Sequence, residues 1–340
     1  MTYGIRAALT IAAAVLLIHV ATNHRYGFHR DELQVVDDGR DLAWGYVVYP
    51  PLTPAVARVS LELFGPSLVA LRFFSAMAMS IVIFLAAMMA REIGGSDRAQ
   101  ILAAAMTAVA PIVLIQGALF QYVAFDFLWW VLIAFFVMRL IRTNDGRWWI
   151  PIGATIGIGM MTKSTMAFWV MALVVAVFGS PLRRHLRSRW LWIGVAVSIA
   201  IYLPNLVWQI RHDFVSLDFL KRIHARDVAI GRTDGFLIEQ LFVPASVFTI
   251  PWWIAGLLFL IRSREFRPLA VMWIVTLGVF IAMKGRSYYM GPAYPMLLAA
   301  GAVVWERWGR ARSVATVSVV LGALMSGALM LPIAPVGSRW

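Results

Sequence analysis

The chain contains no cysteine, so a disulfide frame, thiolate catalysis and cysteine-based metal sites are all excluded. Charge is scarce as well, at 14% of 340 residues, where soluble domains carry roughly a quarter. Acids are the rarer sign, with 17 Asp and Glu against 30 Lys and Arg. Lysine is nearly missing; Lys163, Lys221 and Lys284 are the whole complement. No glycine-rich phosphate loop or dinucleotide fingerprint occurs, which leaves soluble nucleotide chemistry without a home. His24, His29, His212 and His224 show no His-x-x-x-His spacing, which argues against zinc. There is no low-complexity tract, no heptad repeat and no separate soluble domain.

What fills the chain is apolar. Hydrophobic residues make up 61% and mean hydropathy is +0.78, the composition of an all-α integral membrane protein. A crossing helix needs about 20 mainly apolar residues. Apolar segments fall at 4–21, 67–90, 99–117, 122–141, 148–162, 164–180, 190–209, 243–261, 268–283, 290–305 and 314–334, which predicts about eleven transmembrane helices in a single domain spanning 1–340. The division between 148–162 and 164–180 rests only on the polar knot Thr162-Lys163-Ser164-Thr165. The first segment is long for a signal peptide and lacks a small-residue cleavage site, so it reads as a retained anchor.

The formal charge of +13 would suggest nucleic acid in a soluble protein. Here it reads as loop arginines, because they alternate from loop to loop. Arg6, Arg91, Arg139, Arg183, Arg262, Arg307, Arg310, Arg312 and their neighbours place sixteen basic residues on one side against five acids. The other side holds fourteen against twelve. The arginine-rich face is therefore expected to be cytoplasmic, with the N-terminus inside, the C-terminus outside and no nucleic-acid partner. Two extracytoplasmic loops are long, about 22–66 and 210–242. In the first, Leu42, Trp44, Val56, Val59, Leu63 and Phe64 suit short helices at the membrane interface.

Polar groups converge on that outer face. Asp31-Glu32 follows the first helix, and the pair either solvates the loop beside Arg25 and Arg30 or works as chemistry. Tyr49-Pro50-Pro51-Leu52 is stiffened by its prolines. Asp126 sits in an apolar run among Phe125, Phe127 and Trp129, where a buried acid needs a partner or a role; Arg72 is a candidate partner. Lys163 lies at a helix end. Lys284-Gly285-Arg286-Ser287-Tyr288-Tyr289 combines a compact cation, a planar fork and two hydroxyls, the ingredients of a phosphate site, with interfacial snorkelling as the plain alternative. Asp37, Asp38 and Asp41 read as surface charges. Hard oxygens at Asp31, Glu32 and Asp126 suit magnesium, manganese or calcium, although no spacing requires a metal. An acid pair beside outward cations in a membrane cavity fits a lipid-phosphate substrate: the carboxylate takes a hydroxyl proton and the cations stabilise the departing phosphate.

These stretches together resemble the GT-C glycosyltransferases, in particular the bacterial group of protein O-mannosyltransferases and lipid A aminoarabinose transferases. The resemblance rests on Arg30-Asp31-Glu32-Leu33, Gly39 to Tyr46, Pro50-Pro51-Leu52, Gly65-Pro66-Ser67-Leu68-Val69-Ala70-Leu71-Arg72, Thr162-Lys163, Leu203-Pro204-Asn205 and Lys284 through Pro295, in family order. It implies a GT-C-like bundle in a bacterial cytoplasmic membrane and a polyprenyl-phosphate-linked sugar donor. The acceptor would be a hydroxyl of protein, lipid A or glycan. It further implies inverting single displacement, with Asp31 as base or acceptor-orienting acid and Glu32 in support. Lys163, Lys284, Arg286 and Tyr288 would bind the donor phosphate; Arg72, Asp126, Tyr49 and Tyr289 would shape the cavity. Two departures stand out. Tyr49 occupies a position where relatives often have His before the two prolines, and the chain reaches Trp340 without the C-terminal extracytoplasmic domain or extra helices that many relatives carry, so an acceptor-binding module would be missing or come from a partner. A lipid-linked-sugar transporter and an inactive GT-C-like scaffold are the competing readings. Transporters favour paired inverted repeats, and no matched halves are visible.

Overall fold

A computed structural model describes residues 1–307 and 311–333, with the side chains of 311 and 312 excepted. Arg310, the Arg312 side chain, the last residue of the 314–334 segment and Trp340 therefore lie outside the described residues.

All regular structure among the described residues is helical. After α1 (Tyr3–Thr22), the first long loop contains α2 (Arg30–Arg40) and α3 (Leu52–Phe64). Leu42 and Trp44 are exposed in the stretch between them, while Val59, Leu63 and Phe64 are exposed along α3. Next come α4 (Leu68–Glu92), α5 (Asp97–Ala108), α6 (Pro111–Gly117) and α7 (Tyr122–Thr143). They are followed by α8 (Trp149–Met160), α9 (Met166–Phe178) and α10 (Arg189–Arg211). The second long loop forms α11 (Val215–Ala229) and the single turn α12 (Phe236–Glu239). The chain continues through α13 (Ile250–Arg262), α14 (Arg267–Ala282), α15 (Pro295–Glu306) and α16 (Ala311–Met330).

Each of the eleven apolar segments contains a helix, but length separates them. Among the described residues, five helices are long and apolar enough to cross a membrane, or up to eight if each bent pair counts as one span. At 1.5 Å per residue, α8 with 12 residues and α9 with 13 reach only about 20 Å, short of the roughly 30 Å hydrocarbon core. The 99–117 segment is bent by 64° between α5 and α6. The bend falls at Ala110, which is extended so that Pro111 can open α6, where its missing N–H costs nothing. Eleven is thus the number of apolar helical segments, and five to eight the number with the length for a crossing.

α4 is the hub, packing against α1, α5, α6, α7 and α15. Its lining of Ala76, Met79, Val82, Ile83, Ala86 and Ala87 is buried on nearly every side. Two crossings are closed by glycine. A Cβ on Gly153 of α8 would stand 2.0 Å from the Gly194 carbonyl oxygen of α10, and one on Gly256 of α13 would stand 2.0 Å from the Leu297 oxygen of α15. Backbone contact of this kind replaces hydrophobic drive in lipid, where apolar surface gains little from pairing. α10, by contrast, turns Trp192, Val195, Ile199, Leu203 and Ile210 outward, as a helix beside lipid should.

The arginine-bearing ends gather together. Arg139 Nη1 lies 2.7 Å from Glu92 Oε1, and its guanidinium covers Trp148. Arg147 and Arg189 both cover Trp190, and Ser96 Oγ donates to Glu306 at 2.6 Å. The opposite end carries the two long loops and the candidate chemistry. An apolar cavity of about 320 Å³ between α8, α9 and α10 is lined by residues toward the arginine-rich ends and shares none with the candidate site.

Candidate active site

The Asp31-Glu32 pair begins as helix-start chemistry. The His29 imidazole accepts from the Asp31 N–H at 3.2 Å, and Glu32 accepts from the His29 N–H at 2.8 Å, a reciprocal cap that satisfies donors an isolated helix would leave open. The two acids then part. Glu32 is fully buried. Its carboxylate takes Arg72 Nε and Nη2, each at 2.8 Å, and the Phe120 N–H at 2.9 Å. Arg72 spends its remaining donors on the carbonyls of Asn23, Arg25 and Gly27. The 65–72 motif thereby acquires a physical reading. Gly65 turns at φ +66, Ser67 caps α4, and Arg72 one turn later clamps α2 and the α6–α7 link. Arg72 is therefore the partner of Glu32 and not of Asp126, contrary to the pairing considered from sequence.

Asp31 remains open, with its side chain 44% exposed. Gln121 Nε2 donates to its Oδ2 at 3.0 Å and Arg30 Nε to its Oδ1 at 3.2 Å. Gln121 immediately precedes Tyr122, the first residue of α7, and Tyr122 is the centre of the site. Its ring packs 5.6 Å from that of Tyr49 and lies 5.6 Å from Lys163 Nζ.

Lys163 is buried in an aromatic cage, 4.0 Å from the Tyr289 ring centroid and 5.9 Å from that of Tyr288. Cation–π contact of this kind holds an ammonium without neutralising it. Asp126 is its acid, with Nζ to Oδ2 at 3.6 Å. Asp126 also accepts from Trp130 Nε1 and Thr165 Oγ1, both at 3.0 Å. The buried acid expected from sequence thus has three partners, all from α7 and the α8–α9 turn. That turn is docked on the first loop: the Leu52 N–H donates to the Met161 carbonyl at 3.0 Å, so the Pro50-Pro51 stretch seats α3 beside Lys163.

Arg286 joins from the α14–α15 segment. Its Nη1 faces the Tyr288 hydroxyl at 3.2 Å, while Nε and Nη2 grip Asp227 of α11. Burial raises the Asp227 carboxyl, but hydrogen bonds and charge from Arg286 and Arg226 outweigh it and hold the group below its usual range. Tyr288 and Tyr289 meet edge to face at 4.7 Å.

Three expectations need revision. Lys284 is exposed, with backbone at φ +47, and makes no ion pair among the described residues; it does not join the Lys163 cage. Asp38 is not a free surface charge. It accepts from the Tyr49 hydroxyl, and desolvation raises its carboxyl. Tyr49 is consequently a packing group with its hydroxyl engaged, and burial followed by Asp38 raises that phenol. Asp31, Glu32 and Asp126 do not assemble as metal ligands. No group of three His, Asp or Glu side chains that could hold an ion occurs among the described residues, because Glu32 is taken by Arg72 and Asp126 by Lys163, Trp130 and Thr165. Sequence reasoning missed Tyr122 and Asp227. Tyr122 carried a signal, standing at a helix entrance between Gln121 and Asp126. Asp227 carried none, since nothing near it points to residue 286.

Comparison with known proteins agrees with this architecture. Residues 48–208 match the family model for dolichyl-phosphate-mannose-protein mannosyltransferase. Two curated relatives from Pseudomonas fluorescens strains are undecaprenyl phosphate-alpha-4-amino-4-deoxy-L-arabinose arabinosyl transferases. One is 26% identical over 73% of this chain and 48% of its own length, the other 24% over 73% and 48%. The chain spans about half the length of these relatives. Among solved structures, ArnT from Cupriavidus metallidurans bound to undecaprenyl phosphate matches with a TM-score of 0.71 at 20% identity, covering 93% of this chain and 63% of ArnT. The archaeal oligosaccharyltransferase AglB from Archaeoglobus fulgidus matches with a TM-score of 0.59 at 14% identity, covering 96% and 54%. Residues 48–208 are thus similar to the dolichyl-phosphate-mannose-protein mannosyltransferase family, and the fold is similar to that of ArnT.

Proposed function

We propose that this protein is a membrane glycosyltransferase that moves a sugar from a polyprenyl-phosphate donor to a hydroxyl acceptor. The observation that carries the reading is Lys163, buried in a tyrosine cage that shares Tyr288 with Arg286 and Tyr122 with the start of α7, where Gln121 holds Asp31. Asp31 takes the proton from the acceptor hydroxyl. That oxygen attacks the anomeric carbon, the bond from carbon to phosphate oxygen breaks, and the configuration inverts in a single displacement. Lys163, Arg286 and the Tyr288 hydroxyl receive the charge that develops on the leaving phosphate. Glu32 supports Asp31 by fixing the start of α2. In this scheme fixed side-chain cations supply the charge, and no step calls on a metal.

The reading extends to topology. All eleven apolar helical segments are placed as crossings or half-crossings of a bacterial cytoplasmic membrane, with the arginine-rich ends inside and the site outside. A donor that is itself a lipid supports this, since it supplies activated sugar where nucleotide sugars are scarce. Mass spectrometry of lipids co-purifying with the protein tests the donor. A polyprenyl phosphate or its sugar conjugate is expected with wild type and depleted with Arg286→Ala. Equal lipid content in both would return the cluster to interfacial snorkelling.

A further inference from the structure

We propose that Asp227 is a positioning residue for the donor site, setting the orientation in which Arg286 meets phosphate; this rests on the phosphate role proposed above for Arg286. Asp227 lies in α11, 59 residues before Arg286, and is 3% exposed. Its Oδ2 accepts from both Nε and Nη2 of Arg286, one whole edge of the guanidinium. The fork geometry of arginine then fixes where the other edge points. That edge carries Nη1, directed to the Tyr288 hydroxyl, and Tyr288 in turn flanks the Lys163 cage. The acid therefore does not consume the cation. It engages the side away from the cage and presents the remaining donors toward it.

The charge balance supports this division of labour. Arg226 and Arg232 approach the Asp227 Oδ1 at 3.2 and 3.7 Å, so three guanidinium groups share one carboxylate. Arg286 keeps a surplus of positive charge for a second anion. The second long loop is also stitched to the donor segment at α12, where the Ser287 hydroxyl donates to Glu239 and Gln240 Nε2 donates to the Ser287 carbonyl at 3.1 Å. Loop docking thus has its own attachment, which separates anchoring from the orientation of Arg286.

Direct binding of undecaprenyl phosphate to the purified full chain tests the inference. Asp227→Asn is expected to weaken binding about tenfold, the loss of one charge-assisted bidentate contact. In turnover the donor KM should rise while kcat at saturating donor is kept. On an Arg286→Ala background, Asp227→Asn should add nothing further, because both changes act on the same group. Glu239→Ala, which cuts the second stitch, should leave affinity near wild type. Wild-type affinity in Asp227→Asn overturns the inference, as does an undiminished further loss on the Arg286→Ala background or an equal loss in Glu239→Ala. Should Asp227→Asn not fold, Asp227→Glu carries the test: its longer carboxylate displaces the guanidinium and raises donor KM several-fold with kcat kept, and an unchanged KM overturns the inference. Failure of the underlying reading looks different, since then wild type does not bind undecaprenyl phosphate or Arg286→Ala binds it as well as wild type does.

Discussion

Asp31 and Glu32 are chain neighbours with opposite environments, and the difference decides what substitution does to each. Glu32 is buried with four hydrogen bonds, two of them to Arg72. Removing its charge leaves a guanidinium buried without a counter-charge, a change that costs roughly 3 kcal/mol. Glu32→Gln should therefore lower the unfolding midpoint in detergent by several degrees, whereas Asp31→Asn should stay within about 0.5 kcal/mol of wild type. Equal thermal shifts for the two variants would remove the distinction. Composition and spacing marked the pair, and only the family resemblance gave its two members different roles. The acidic pair after the first helix and the apolar run around Asp126 were legible because both are local patterns. Arg72 to Glu32 and Arg286 to Asp227 span 40 and 59 residues, and no local spacing encodes them. Lys284 and Arg286 look alike in sequence, but only Arg286 reaches the tyrosines.

At the scale of elements, hydropathy located the helices well and their reach poorly. The segments around α1, α4, α7 and α10 appear as full-length helices. Hydropathy counts apolar residues whether they face lipid or protein, so it cannot tell a crossing from a short helix buried among its neighbours. α15 is the clear case, with Met296 through Val303 all buried in 12 residues. The polar knot at 162–165 did mark a real break between α8 and α9, and that break holds Lys163. Because the chain has no cysteine, single introduced cysteines report topology without background. A membrane-impermeant maleimide should label Leu220→Cys on α11 from outside intact spheroplasts. It should reach Arg264→Cys, between α13 and α14, only after permeabilisation. The reverse pattern would invert the proposed orientation.

For the whole molecule, the relevant feature is that distant segments meet at one end of the bundle. The first loop brings Asp31 and Tyr49, α7 brings Tyr122 and Asp126, the α8–α9 turn brings Lys163, and the α14–α15 segment brings Arg286 with its tyrosines. Glycine-closed crossings and the Glu32–Arg72 clamp hold these parts in register. The arrangement matches the fold of structures with which the chain shares 20% identity or less, although it spans about half the length of its curated relatives. The chemistry proposed for that end is proton removal by Asp31 beside a phosphate held by Lys163 and Arg286. Its most direct test is sugar transfer from the co-purified polyprenyl-phosphate donor in proteoliposomes, comparing wild type with Asp31→Asn. Wild type should form a new glycosidic bond of inverted configuration, and Asp31→Asn, folded and still binding donor, should form none. Transfer at the wild-type rate by Asp31→Asn would contradict the account.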